Sequence, residues 1–209
     1  IVGIEKITLG GPYNYNLTPH NLSLDLGKTL TIDASGLTAS NYVRFDGSNE
    51  TNGRFVVTGG AGNDTLIGGR AGDVLTAGEG YNTIDISAGG KDQATGGTVQ
   101  DIFNAGAQFT ADDKVDGKGG GDTLMLKGNY SKGVVFKANT LLGVQTIDVD
   151  PGFDYSLTLH NASLAAGQSM NIVGFDLGAG DTMFIDGSRE FDGTLNVNGG
   201  GGAHHPVGG

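Results

Sequence analysis

The residues best suited to chemistry fall in three successive nine-residue stretches. Residues 59–67 read Gly-Gly-Ala-Gly-Asn-Asp-Thr-Leu-Ile, residues 68–76 Gly-Gly-Arg-Ala-Gly-Asp-Val-Leu-Thr, and residues 77–85 Ala-Gly-Glu-Gly-Tyr-Asn-Thr-Ile-Asp. They follow the pattern G-G-x-G-x-D-x-U-x, where U is a large apolar residue, and the third copy is decayed. Glycine at the tight positions lets six residues close a turn with inward carbonyls. The Asp then adds a hard anionic oxygen, and x-U-x makes a short strand that buries U. Calcium takes six to eight oxygens at about 2.3–2.6 Å in irregular geometry, which suits carbonyls and carboxylates drawn from successive turns. The expected chemistry is therefore calcium binding. Asp64 and Asp73 are the first candidate ligands, with Gly60, Gly62 and Gly69 contributing carbonyls. Looser copies at 117–124 and 178–183 add Asp122 and Asp181, while Asn63, Asn82 and Asp101 supply further oxygens or replace a worn Asp. Residues 199–207 align on 59–67 with His204 in place of Asp64 and Pro206 in place of Leu66, so poor binding is expected there.

Other chemistries lack their residues. A hydrolase needs a nucleophile beside a base, or a metal held by several His and carboxylates. The four histidines form no such set: His20 and His160 each precede Asn in a similar context and read as structural, and the His204–His205 pair has no third ligand near it in sequence. Asp112–Asp113 and Asp148 with Asp150 offer paired carboxylates of the kind a glycosidase uses, but in turn-like or alternating surroundings. No catalytic residue is assigned, and the chain is expected not to be an enzyme. Twelve basic against 23 acidic side chains give a net charge of −11 with no basic cluster, which argues against a nucleic-acid or anionic-membrane face and favours cations. No apolar run approaches the ~20 residues of a spanning helix, and the first residues lack the order of a signal peptide. The absence of cysteine removes disulfides and thiolate metal sites.

These turns must be held by a repetitive scaffold. Sliding the chain by 140 positions superimposes residues 1–69 on 141–209 without a gap, with 24 of 69 positions identical. Tyr15-Asn16-Leu17-Thr18-Pro19-His20-Asn21 falls on Tyr155-Ser156-Leu157-Thr158-Leu159-His160-Asn161, and Phe45-Asp46-Gly47-Ser48-Asn49-Glu50 on Ile185-Asp186-Gly187-Ser188-Arg189-Glu190. The matching phase of the two ends suggests an excerpt from a longer array. Short apolar runs recur about every ten residues, separated by Gly, Asn, Asp and Ser, and predict an all-β chain. Strands are expected at 4–9, 22–26, 30–32, 42–45, 55–57, 65–67, 123–126 and 133–136, with second-copy counterparts at 144–149, 157–159, 170–173, 183–185 and 195–197. Only one or two helical turns are expected, at 110–114 and 159–166.

The consecutive nonapeptides resemble the RTX, or hemolysin-type, calcium-binding repeats of proteins exported by Gram-negative type I secretion. The resemblance covers about 30 residues closely and about 70 loosely. With the short strands and the 140-residue repeat, the glycine-rich turns predict a parallel β-solenoid, right-handed, divided into a first module at 1–58, a calcium-binding β-roll at 59–104, connecting rungs at 105–140 and a second module at 141–209. The resemblance implies Ca2+ as cofactor, folding on calcium outside the cell, and an extracellular or cell-surface location. The expected role is a structural repeat segment of an adhesin, biofilm-matrix or surface-layer protein. The alternative is an accessory module of a secreted hydrolase or lyase. Partners expected besides calcium are neighbouring repeats or further copies of the chain, and a surface glycan on the recurring aromatics Tyr13, Tyr15, Phe153 and Tyr155, but neither nucleic acid nor an inserted membrane.

Overall fold

A computed structural model describes residues 3–21 and 23–208. Its short strands coil into a parallel β-solenoid of about 9 turns. The period-two alternation drives this, since β6 (Thr65–Ile67), β7 (Val74–Thr76) and β8 (Thr83–Asp85) each bury the middle residue and leave its neighbours half-exposed. Three residues cannot form a stable strand alone. Stacking is what holds them, because each inward residue lies over its equivalent in the next rung, about 4.8 Å away.

Sheet 1 stacks β1 (Lys6–Thr8), β3 (Thr29–Asp33), β5 (Arg54–Thr58), β7, β9 (Gln93–Thr95), β11 (Lys114–Asp116) and β14 (Leu141–Leu142). Sheet 2 runs from β2 (Tyr15–Leu17) through β4 (Val43–Asp46), β6, β8, β10 (Ile102–Gly106), β12 (Thr123–Leu126), β15 (Thr146–Val149) and β17 (Ser169–Gly174) to β19 (Thr194–Gly199). Sheet 3 contains β13 (Tyr130–Val135), β16 (Tyr155–Thr158), β18 (Thr182–Asp186) and β20 (Ala203–Val207). Inward columns form one buried apolar cluster. In sheet 2 this column is Leu17, Phe45, Leu66, Ile84, Phe103, Leu124, Ile147, Ile172 and Val197.

The two repeat copies share their rungs. Lys6 pairs with Thr31 and Thr146 with Asn171, a step of 25 residues in both; Tyr15 pairs with Val43 and Tyr155 with Met183, a step of 28. Translation along one axis does not relate them, however. The first copy occupies sheets 1 and 2, whereas the second, after beginning with β14 on sheet 1, alternates between sheets 2 and 3 from β15 onward. The displacement by one face arises after β12, where the chain adds β13 on sheet 3 and β14 on sheet 1 before returning to sheet 2.

Residues 23–26 are not a strand as expected. Ser23 N donates to His20 O at 2.7 Å and Lys28 N to Asp25 O at 3.0 Å, so the chain turns; Leu24 is buried while Leu26 is 83% exposed, and Leu22 lies outside the described residues. The second copy closes the same bend with a 3-10 turn, Asn161–Ser163, within the expected 159–166 segment, capped by His160 Nδ1 accepting from Ala162 N at 3.0 Å. The 110–114 segment is a turn that runs into β11. Among the described residues no helix is long and apolar enough to cross a membrane.

Candidate metal-binding turns

Two columns of polar side chains line the corners between sheets 1 and 2. Where the chain passes from sheet 1 to sheet 2, Asp64 Oδ1 accepts from Val43 N at 2.7 Å. Asp64 N then donates to Asn82 Oδ1 at 2.8 Å, Asn82 N to Asp101 Oδ1 at 2.9 Å, Asp101 N to Asp122 Oδ1 at 2.8 Å and Asp122 N to Gln145 Oε1 at 2.7 Å. At the opposite corner Phe55 N donates to Asp73 Oδ1 at 2.7 Å, Asp73 N to Asp92 Oδ1 at 2.7 Å and Asp92 N to Asp113 Oδ1 at 2.8 Å. Every Asp and the Asn in these columns is buried.

The second atom of each side chain faces its own turn, and here the residues differ. Asp64 Oδ2 accepts from Gly60 N at 2.7 Å, Asp73 Oδ2 from Gly69 N at 2.6 Å, Asp101 Oδ2 from Gly97 N at 2.7 Å and Asp113 Oδ2 from Thr110 N at 2.7 Å. Asn82 does the opposite. Its Nδ2 donates to the carbonyls of Gly78, Glu79 and Gly80 at 3.3, 3.2 and 2.9 Å, in a turn with Gly78 and Gly80 at φ +89° and +90°. Asp122 closes a turn with left-handed residues at the same two positions, Lys118 (φ 68°) and Gly120 (φ +111°). Its Oδ2 stands where Asn82 carries its NH2, buried and without a hydrogen-bond partner. A donor that satisfies carbonyls is thus replaced by an acceptor.

Burial, first of all, pushes these carboxyls upward: Asp73 to about 6, Asp122 to about 7 and Asp92 to about 8, with Asp64 and Asp101 raised as well. Backbone N–H bonds oppose the shift, while neighbouring acids add to it, Asp101 and Asp116 at Asp122 and Asp73 and Asp113 at Asp92.

The expected residues divide accordingly. Asp64, Asp73, Asn82, Asp101 and Asp122 are brought into the columns, where Asn82 stands in the place of a worn Asp, its Oδ1 accepting from Asp64 N while its Nδ2 donates to three carbonyls. Gly60 and Gly69 donate their N–H groups to the carboxylates, and the Gly60 carbonyl accepts from Glu79 N at 3.1 Å. The Gly62 carbonyl lies against Gly80, where a Cβ would stand 2.4 Å away. Asn63 is exposed, its Oδ1 accepting from Tyr81 N at 2.9 Å. Asp181 is on a separate turn before β18, lowered by amide bonds from Gly152 and Gly178. Asp92 and Gln145 were not among the sequence candidates, and Asp113 was singled out only as half of an acidic pair; Asp92 lies 19 residues after Asp73 and Asp113 a further 21, off the nine-residue register, although each stands directly before a sheet 1 strand as Asp73 does.

The donor set is entirely oxygen, which fits a hard cation. Among the described residues no three His, Asp or Glu side chains gather to hold a metal, so carbonyls or water must complete any site. Each carboxylate oxygen keeps acceptor capacity beyond a single N–H bond. The remaining sequence candidates separate: Asp112 is exposed between Lys91 and Lys137 while its neighbour Asp113 is buried in the column, and His204, the repeat counterpart of Asp64, has its Nε2 2.9 Å from the carbonyl of Gly200, the counterpart of Gly60. Tyr15 and Tyr155 bond the carbonyls of Gly10 and Asp150, each five residues earlier, with Tyr155 buried against Tyr130 and Tyr13 63% exposed. Comparison with protein-family models, curated proteins and solved structures finds no match to this chain.

Proposed function

We propose that the chain is a calcium-binding structural segment of a secreted cell-surface protein, of adhesin, biofilm-matrix or surface-layer type, whose solenoid is completed by calcium outside the cell. One observation carries the calcium reading: Asp122 places an unpartnered, buried carboxylate oxygen where Asn82 places an N–H donor. The −11 charge, the all-oxygen columns and the nonapeptide register support the same reading, and the register supports export and surface display through its resemblance to RTX repeats. A bound calcium would supply positive charge at Asp122 Oδ2, the Lys118 ammonium of that turn being paired with Asp116 at 2.7 Å. Asp122 holds the Asp101 amide with Oδ1 and leaves Oδ2 for the ion; Asp101, Asp73 and Asp64 hold adjacent turns in register through their paired amide bonds.

Circular dichroism and thermal melting in calcium and in EDTA test the reading. With an extracellular-type Kd on the order of 0.1–1 mM, calcium at 100 times Kd adds about 2.7 kcal/mol per site, seen as a higher melting temperature. Identical β signal and melting temperature in both conditions would defeat it.

A further inference from the structure

Glu50 and Glu190 occupy matching positions in the two repeat copies and are 0% and 4% exposed. Each closes a tight turn, Glu50 N donating to Gly47 O at 2.9 Å and Glu190 N to Gly187 O at 2.8 Å. Oε1 serves the loop that follows. It accepts from Thr51, Asn52 and Gly53 N in the first copy, at 3.1, 3.0 and 3.3 Å, and from Asp192 and Gly193 N in the second, at 3.3 and 3.0 Å. Oε2 of both residues is buried with no hydrogen-bond partner.

The backbone at this position does not demand an acid. The opposite corner of the same rungs has the same construction, with Leu37 N donating to Ala34 O at 2.9 Å and Leu177 N to Gly174 O at 3.1 Å. The next rung docks alike in both corners: Ala61 N donates to Leu37 O and Arg70 N to Glu50 O, each at 3.0 Å. A brace repeats too, Ser35 Oγ donating to Asp33 Oδ1 and Ser48 Oγ to Asp46 Oδ1, both at 2.7 Å. Leu37 and Leu177 fill their corners as buried side chains. A glutamate in the equivalent place desolvates a carboxylate, and holding the loop amides needs only one of its oxygens. The second oxygen is left in both copies. Around Glu50 the carbonyls of Gly47 and Glu50 stand against Gly69 of the following turn, and the Asp73 carboxylate of that turn is close enough to be repelled by Glu50.

We propose that Glu50 and Glu190 each hold a calcium ion through Oε2, in corner sites separate from the nonapeptide turns. This rests on calcium as the chain's cation but on different residues, and carbonyls of the same turn with water complete the coordination. The test is the number of calcium ions bound per chain, by equilibrium dialysis after chelator treatment, in Glu50→Gln, Glu190→Gln, the double variant and Asp122→Asn. Gln keeps the amide-accepting oxygen and the shape, and removes only the charge. Each Glu→Gln change should lose one ion, the double variant two, with melting temperature in EDTA unchanged or higher. An unaltered count in the double variant overturns the proposal, whatever Asp122→Asn does. An unaltered count in Asp122→Asn alone, with ions lost from the Glu variants, instead removes the nonapeptide site and leaves this one. Should one Gln variant unfold, the other copy's variant is read alone: a count lower by one supports the proposal and an unaltered count overturns it.

Discussion

At the scale of single residues, the orientation of one side-chain amide or carboxylate decides whether a turn is satisfied. Asn82 shows that the column accepts a neutral residue, since its Oδ1 takes the Asp64 amide and its Nδ2 takes three carbonyls. Asp122→Asn should therefore convert the Asp122 turn into a second Asn82 turn. Its melting temperature in EDTA should rise, relieving an unsatisfied buried group worth on the order of 1–3 kcal/mol, while calcium affinity falls. A variant that melts lower in EDTA would show that Oδ2 already has a partner. The pH dependence follows from the raised carboxyls. Folded Asp73, Asp122 and Asp92 hold protons up to about 6, 7 and 8, whereas the unfolded chain releases them near 3.8. Between those limits the folded state binds more protons, so without calcium stability is greatest near pH 4 and declines as pH rises to 8. Calcium, which needs the ionised carboxylates, should flatten or reverse the decline. Calorimetry across this range in EDTA checks the sign, and a melting temperature that climbs with pH would contradict it.

At the scale of elements, the tightness of the corners sets what each glycine can become. A Cβ on Gly62 would lie 1.8 Å from Asn41 O, on the backbone of the preceding rung, where nothing flexible can yield. Gly62→Ala should cost at least the 1–3 kcal/mol typical of overpacking. Gly121, one residue before Asp122 and with no atom within 4 Å of its Cβ position, should accept Ala at no cost or gain up to about 1 kcal/mol from the stiffer unfolded chain. Paired denaturant titrations of the two variants test this; equal losses would mean that inter-rung contact is not what requires glycine. β20 carries the complementary lesson. It contains Pro206, opposite Ile185; among the described residues β20 pairs with β18 alone, and an edge strand tolerates a residue without an N–H.

At the scale of the whole molecule, nine strands of sheet 2 at about 4.8 Å make a stack roughly 40 Å long. Among the described residues β1 and β2 pair on one side only, as do β19 and β20. Beside β2 lies a cavity of about 310 Å³ lined by Ile7, Leu17, Leu30, Ile32 and Phe45. Open parallel edges over apolar columns invite pairing, so the chain should associate end to end with rising concentration. Light scattering across a concentration series, with Ile7→Asp and Val197→Asp as end-blocking variants, tests this. A mass that stays monomeric throughout, or is unmoved by both variants, would refute it.

Much of this was legible beforehand. The x-U-x alternation determined which residues face inward, since a three-residue strand has one buried position whatever its neighbours. The 140-residue repeat determined that both copies would share rung lengths, and the nonapeptides placed Asp64 and Asp73 at equivalent corners. Tertiary structure decided the rest. That Gly60 donates its N–H to Asp64 while its carbonyl accepts from Glu79 N follows from stacking on the next turn. Asp92 and Asp113 joined their column through pairing 19 and 21 residues away, after the nine-residue register had lapsed. The buried state of Glu50 and the extra face that turns the second copy likewise come from contacts between rungs, which no local pattern of residue types encodes.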